Sequence, residues 1–310
     1  MGGTAFLFPG QGAHKPGMGA DLCEAYEAAA EVFRAADEAL GYPISEKVLR
    51  GTEEDLADTA AQQPAIIMVE LAALAVMRET APEIRPRLTA GLSLGEYAAL
   101  VAAGSIGGAE ALSLVEKRGR YMAEAASEAP GGMSSVIGLG PEECVAACAE
   151  AAAAGRVSAA NFNSPLQTVI SGEIPAVERA EEICRARGAK KVVRLNVSGA
   201  FHSELMSSAS EKLAAALDGV EIREPEVDVI QNVTGRPERD PVAIRENLVK
   251  QLTSPVLWTD TMAAVVEAGV DAACELGPGK VLAGLFKRTN RSVKVTGLFS
   301  AESFAALAGS

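Results

Sequence analysis

The 310-residue sequence predicts an α/β protein: a main domain built on a parallel sheet, with a ferredoxin-like subdomain inserted into it. Three observations predict this. In the first third of the chain, short apolar runs alternate with longer helical patterns, as in β-α units. From residue 131 the texture changes to strand, helix, strand, strand, helix, strand, which is the ferredoxin-like order. After Phe201 the first kind of pattern returns. The main domain is therefore expected over residues 1–130 and 198–310, and the subdomain over 131–197.

The elements follow in order. Residues 5–8, Ala-Phe-Leu-Phe, read as a first buried strand. An amphipathic helix is predicted over 24–40 and a second long helix over 62–79. Its apolar stretch, residues 65–77, contains Glu70 and is shorter than the roughly 20 residues needed to span a bilayer. A short strand over 88–90 leads to a helix beginning near Glu96, and another helix is expected over 108–128. In the subdomain the strands are expected at 134–139, 157–159, 168–171 and 191–195. Its helices are expected at 142–154 and 176–187.

Composition narrows the function classes. An apolar content of 48% fits a globular protein, and the net charge of −13 argues against nucleic acid or an anionic membrane as partner. The first strand begins within a few residues of Met1, which leaves no room for a leader, so a cytoplasmic protein is expected. The five cysteines, Cys23, Cys144, Cys148, Cys184 and Cys274, form no C-x-x-C pair. With two histidines in the chain, buried free thiols are expected rather than a metal site.

Gly91-Leu92-Ser93-Leu94-Gly95 is a G-x-S-x-G pattern between a strand and a helix. Such an elbow exposes a serine on a turn so tight that its neighbours must be small. The amide of Leu94, at a helix N-terminus, is placed to stabilise an oxyanion. A serine nucleophile needs a base, and the choice is His14 or His202. His14 sits in a Gly/Pro-broken loop and is expected to be structural. His202 follows a β-branched run, and a neutral imidazole there can take the serine proton near pH 7. His202 lies mid-chain with much of the fold still to follow, unlike the base of an ordinary lipase or esterase. No carboxylate stands out as a third member; a backbone carbonyl could orient the imidazole instead, which would make the pair a dyad.

Several further stretches occur in a fixed order. They are Phe8-Pro9-Gly10-Gln11-Gly12, Gln63-Pro64-Ala65, the elbow with Glu96-Tyr97, and Asn161-Phe162-Asn163-Ser164-Pro165. Gly199-Ala200-Phe201-His202-Ser203, Gln251-Leu252-Thr253-Ser254-Pro255-Val256 and Glu275-Leu276-Gly277-Pro278-Gly279-Lys280-Val281-Leu282 complete the series. Together they resemble the malonyl-CoA:acyl carrier protein transacylase family over nearly the whole chain. The resemblance implies a hydrolase-like main domain and malonyl transfer from coenzyme A to a carrier-protein phosphopantetheine thiol. It implies malonyl-CoA and acyl carrier protein as partners and no cofactor beyond the thioester substrate; a monomer is expected.

By the same resemblance Ser93 is the nucleophile and His202 its base. Gln11 is the second oxyanion donor, through its backbone amide, beside Leu94. Arg118 holds the malonyl carboxylate, a role suited to a planar guanidinium fork. Arg120 is an alternative on a different helix face. Gln251 orients the histidine through its main chain, and Asn161 lines the pocket or serves the loop. Phe201 is expected to crowd a branched acyl group. Leu92, His14 and Leu166 depart from the family pattern without changing the reaction class.

Coenzyme A and carrier proteins are anionic, so local basic patches must offset the acidic whole. Arg185, Arg187, Lys190, Lys191 and Arg194 form one candidate, and Lys287, Arg288, Arg291 and Lys294 the other. A thioesterase or hydrolase using the same acyl-enzyme is the alternative enzyme, and an inactive scaffold is the reading from another class. Fatty acid and polyketide pathways both remain open.

Overall fold

A computed structural model of the chain describes residues 3–12 and 14–308. Among the described residues the main sheet has six strands. In chain order these are β1 (Gly3–Phe8), β2 (Pro86–Gly91), β7 (Asp228–Gln231), β8 (Arg236–Glu238), β9 (Val270–Leu276) and β10 (Lys294–Leu298). Their spatial order is β10-β9-β1-β2-β7-β8, parallel throughout except for the β7–β8 pair. The second sheet holds β3 (Gly132–Ile137), β4 (Val157–Ser164), β5 (Gln167–Gly172) and β6 (Lys191–Arg194). Its order β4-β5-β3-β6, all antiparallel, is that of a ferredoxin-like unit.

The period of two along β1 sorts the core. Phe6 and Phe8 face one cluster, packed with helix Thr59–Thr80, whereas Ala5 and Leu7 face a second cluster around Trp258 and Phe286. Central strands covered on both faces read as continuous apolar runs, as 5–8 does. The subdomain has its own smaller core, which includes Cys144, Cys148 and Cys184. The subdomain meets the main domain where Asn161 of β4 bridges Val256, a residue between helices Pro241–Gln251 and Trp258–Glu267. Val256 donates to the carbonyl of Ala160 at 2.8 Å, and Phe162 to that of Val256 at 2.9 Å.

Several elements differ from expectation; the strand expected over 157–159 runs on to Ser164. The helix predicted over 24–40 is two helices, Ala20–Ala25 and Glu27–Leu40, because Tyr26 adopts an extended backbone (φ −134°, ψ 120°). Its ring meets Phe304 edge-on at 6.2 Å, so packing overrides helix propensity there. The helix predicted over 62–79 begins earlier, at Thr59, where the side chain of Asp58 caps the amide of Ala60. At 22 residues it is long and apolar enough by composition to cross a membrane, yet here it is the buried central helix of the main domain. A short helix, Ile44–Arg50, has no counterpart among the expected elements; it enters through Pro43 and buries Ile44 and Val48.

Candidate active site

The site lies at the carboxyl ends of β1, β2 and β7, where open α/β sheets place their ligands. Ser93 follows β2 and precedes helix Gly95–Ala102. Its φ is 54°, in the left-handed region that non-glycine residues avoid. Two glycines make the turn possible. A Cβ on Gly91 would stand 2.0 Å from the carbonyl of Gly95, and one on Gly95 would stand 2.3 Å from the carbonyl oxygen of Phe8. The side chain of Asn232, just past β7, braces the elbow from both sides. Its Oδ1 accepts from the Ser93 amide at 2.6 Å, and its Nδ2 donates to the Gly91 carbonyl at 2.6 Å.

His202 meets Ser93 from the loop after β6. Its Nε2 is 2.8 Å from Ser93 Oγ, and its Nδ1 is 2.8 Å from the backbone carbonyl of Gln251. A carbonyl can only accept, so Nδ1 carries the proton and Nε2 is free to receive the serine hydroxyl. Burial, and then the positive charge of Arg118, push the imidazole down to about 4, so it is neutral at pH 7. The backbone of His202 is also left-handed, at φ 57°. Among the described non-glycine residues, Ser93 and His202 alone have positive φ. Strain of this kind persists where the surroundings over-determine it, as at active sites.

Arg118, on helix Gly108–Glu128, is fully buried. Its Nη1 donates to Gln63 Oε1 at 2.6 Å, and its Nη2 to Gln251 Oε1 at 2.9 Å and to Ser93 Oγ at 3.0 Å. All three acceptors are neutral. Among the described residues no carboxylate pairs with this guanidinium, and its Nε is buried without a partner. The guanidinium also lies 5.8 Å over the Tyr97 ring and feels the Glu96 carboxyl, but no carboxylate forms an ion pair with it among the described residues, and a buried cation without a paired carboxylate is a receptor for an anion. Arg120, two residues on, is exposed and lies over the Tyr121 ring at 5.4 Å.

The other predicted residues separate. Leu94 is buried at the head of the elbow helix. Gln11 lies just past β1, in a stretch that runs against the elbow: the amide of Leu92 donates to the Phe8 carbonyl at 3.0 Å. A Cβ on Gly10 would be 2.6 Å from the Leu92 carbonyl oxygen. The Gln11 side chain donates to Gln62 Oε1 at 3.0 Å. Asn161 is buried where β4 bridges Val256 of the main domain; among the described residues no hydrogen bond joins it to Ser93, His202 or Arg118. His14 is half-buried beside Gln11 and Gln62 in a separate cleft. Three residues given no role from sequence belong to the network: Asn232, Gln63 and Glu96. Gln63 and Glu96 stand within quoted motifs; Asn232 carries no local signal.

Beside His202 a cleft of about 530 Å³ runs between Ser171 and Gly172 of the subdomain and Thr253 and Pro255 of the main domain. In the first basic cluster Arg185, Arg187 and Arg194 pair with Glu181, Glu150 and Glu178. A groove of about 750 Å³ instead gathers Lys190 with Lys287, Arg288 and Arg291, next to the exposed Leu166. It therefore mixes members of both predicted clusters.

The chain matches the acyl transferase domain over residues 5–309. It belongs to the acyl transferase family. A malonyl CoA-acyl carrier protein transacylase of Haemophilus influenzae is 44% identical over 284 residues, which covers 92% of this chain and 91% of the relative. Among solved structures, a transacylase of the same name from Coxiella burnetii superposes with a TM-score of 0.96 at 39% identity, covering 100% of this chain and 98% of that one. A malonyl-transacylase in complex with its type II PKS acyl-carrier protein superposes at 0.95 with 42% identity, covering 99% of each chain. The fold expected from sequence, a parallel-sheet domain carrying a ferredoxin-like unit, is the one these acyl transferases share.

Proposed function

We propose that this acyl transferase moves malonyl from coenzyme A to the phosphopantetheine thiol of an acyl carrier protein through a malonyl ester on Ser93. The observation that carries the reading is the buried Arg118 guanidinium, which lacks a carboxylate and lies 3.0 Å from the nucleophile. An acyl group with a distal carboxylate supplies the missing anion while its thioester carbon faces Ser93.

In the first half-reaction Ser93 Oγ attacks the thioester carbonyl carbon and His202 Nε2 takes the hydroxyl proton. The resulting oxyanion is held by the backbone amides of Leu94 and Gln11. The intermediate collapses, the C–S bond breaks, and His202 returns the proton to the departing thiolate of coenzyme A. In the second half-reaction His202 takes the proton of the carrier's thiol, and the thiolate attacks the ester. Ser93 leaves and recovers its proton. Gln251 keeps the imidazole in the needed tautomer throughout. Proton transfer and a fixed oxyanion site suffice, so no resident cofactor is invoked.

The relatives' names support malonyl and carrier protein as substrates. The cationic groove of Lys190, Lys287, Arg288 and Arg291 supports anionic partners on an otherwise acidic protein. We take the protein to work as a cytoplasmic monomer away from membranes. The test is partitioning. With labelled malonyl-CoA and holo carrier protein, label should move to the carrier, with slow release of free malonate. Release to water that the carrier does not suppress would favour a hydrolase.

A further inference from the structure

We infer that Glu96 is a positioning residue that keeps the Ser93 elbow and the His202 loop in register, and that it acts as a hydrogen-bond acceptor rather than as a charge. The inference rests on Ser93 and His202 being the reacting pair.

Glu96 lies three residues past Ser93, in the first turn of the elbow helix, and is fully buried. One of its oxygens, Oε2, accepts two hydrogen bonds: from the Asn232 amide at 3.0 Å and from Gln251 Nε2 at 2.9 Å. Each donor belongs to the support of one reacting residue. Asn232 holds the Ser93 amide and the Gly91 carbonyl. Gln251 holds His202 Nδ1 through its carbonyl, while its Nε2 also donates to the Ser93 carbonyl at 3.0 Å. Glu96 Oε2 is therefore the shared node between segments far apart in sequence. Both reacting residues have left-handed backbones, which relax unless fixed from several sides.

The other oxygen, Oε1, is buried without a partner among the described residues. That asymmetry separates acceptor from charge. A proton on Oε1 leaves both bonds to Oε2 intact, and so does an amide nitrogen in the same place. Burial raises the carboxyl to about 7, with Gln251, Asn232 and then Arg118 working against the rise. The residue is thus partly protonated at neutrality, and a role that needed full charge would be poorly served.

The experiment compares wild type with Glu96→Gln and Glu96→Ala in the full chain. The chain has two histidines, so a His14→Ala control assigns the His202 ring signals by NMR without any substrate. Because that readout needs no acyl donor, it stands apart from the malonyl-transfer reading. Glu96→Gln should keep the His202 Nδ1–H signal and its kcat. Glu96→Ala should shift or broaden the signal and lower kcat by about a hundredfold with little change in KM, the effect of a misplacement of about 1 Å. If the alanine variant does not fold, Glu96→Asp, which withdraws the acceptor by one methylene, is read by the same two measures. Loss of kcat in Glu96→Gln equal to that in Glu96→Ala would assign the role to charge and overturn the proposal. An unmoved His202 signal in the alanine or aspartate variant would overturn it as well.

Discussion

Arg118→Ala should turn a malonyl-selective enzyme toward acetyl. The guanidinium has two faces of use in the structure: Nη1 on Gln63, and Nη2 shared by Gln251 and Ser93 Oγ. A carboxylate that takes the fork makes two charge-assisted hydrogen bonds, each worth about 1.5–3 kcal/mol, one of which displaces the neutral bond from Nη2 to Gln251, worth about 0.5–1.5 kcal/mol. The net gain is about 2–5 kcal/mol, or roughly thirty- to several-thousandfold at about 1.4 kcal/mol per decade. Acetyl has no carboxylate and forgoes this term. The bond from Nη2 to Ser93 is common to both substrates, so its loss cancels in a ratio. The assay is kcat/KM for malonyl-CoA and acetyl-CoA with wild type, Arg118→Ala and Arg120→Ala. The malonyl-to-acetyl ratio should collapse by that factor in Arg118→Ala and stay put in Arg120→Ala, whose side chain is exposed over Tyr121. A ratio unchanged in Arg118→Ala would refute the reasoning, and a collapse confined to Arg120→Ala would move the clamp.

Three further outcomes are expected. His202→Ala should slow acylation by roughly a hundred- to ten-thousandfold, the range for a general base, while His14→Ala should do little; equal losses would show that His202 was misassigned. The imidazole must be neutral to act, and it takes up a second proton only below about pH 4, so the acylation rate should be flat from neutrality down to about pH 5 and fall below that; an inflection near the ordinary histidine value of 6.5 that persists in Glu96→Gln would contradict the buried site. Gly95→Ala should lose both activity and thermal stability, because its Cβ would meet the backbone oxygens of Phe8 and Pro9 at 2.3 and 2.5 Å, and backbone cannot step aside as a side chain can; a melting curve and an acylation assay check it.

What the sequence makes legible is what is local. The elbow is five consecutive residues between a strand and a helix; Gly91 answers to a close approach within that turn, and Gly95 to the backbone at the end of β1. His202 emerges because the chain offers only two histidines. The subdomain's strand order follows from a pattern complete within one stretch of chain. Asn232 shows the limit. It acts on an amide 139 residues away, and an asparagine after a short strand looks like any turn residue. Glu96 shows another: its burial, not its position in the motif, reveals the role, and burial is a tertiary property. Asn161 has two readings from sequence, lining the pocket or serving the backbone, and only a tertiary contact, its bridge to Val256, displays the second. Tyr26 broke a helix that its flanking residues favour, because the ring packs on Phe304 from the far end of the chain.

The central claim is a covalent one, and intact mass tests it most directly. Wild type mixed with malonyl-CoA should gain one malonyl group, located by peptide mapping on Ser93, and should lose it when holo carrier protein is added. Ser93→Ala should gain none. An adduct on the substituted protein, or wild type that transfers malonyl without ever carrying it, would contradict the serine-ester mechanism.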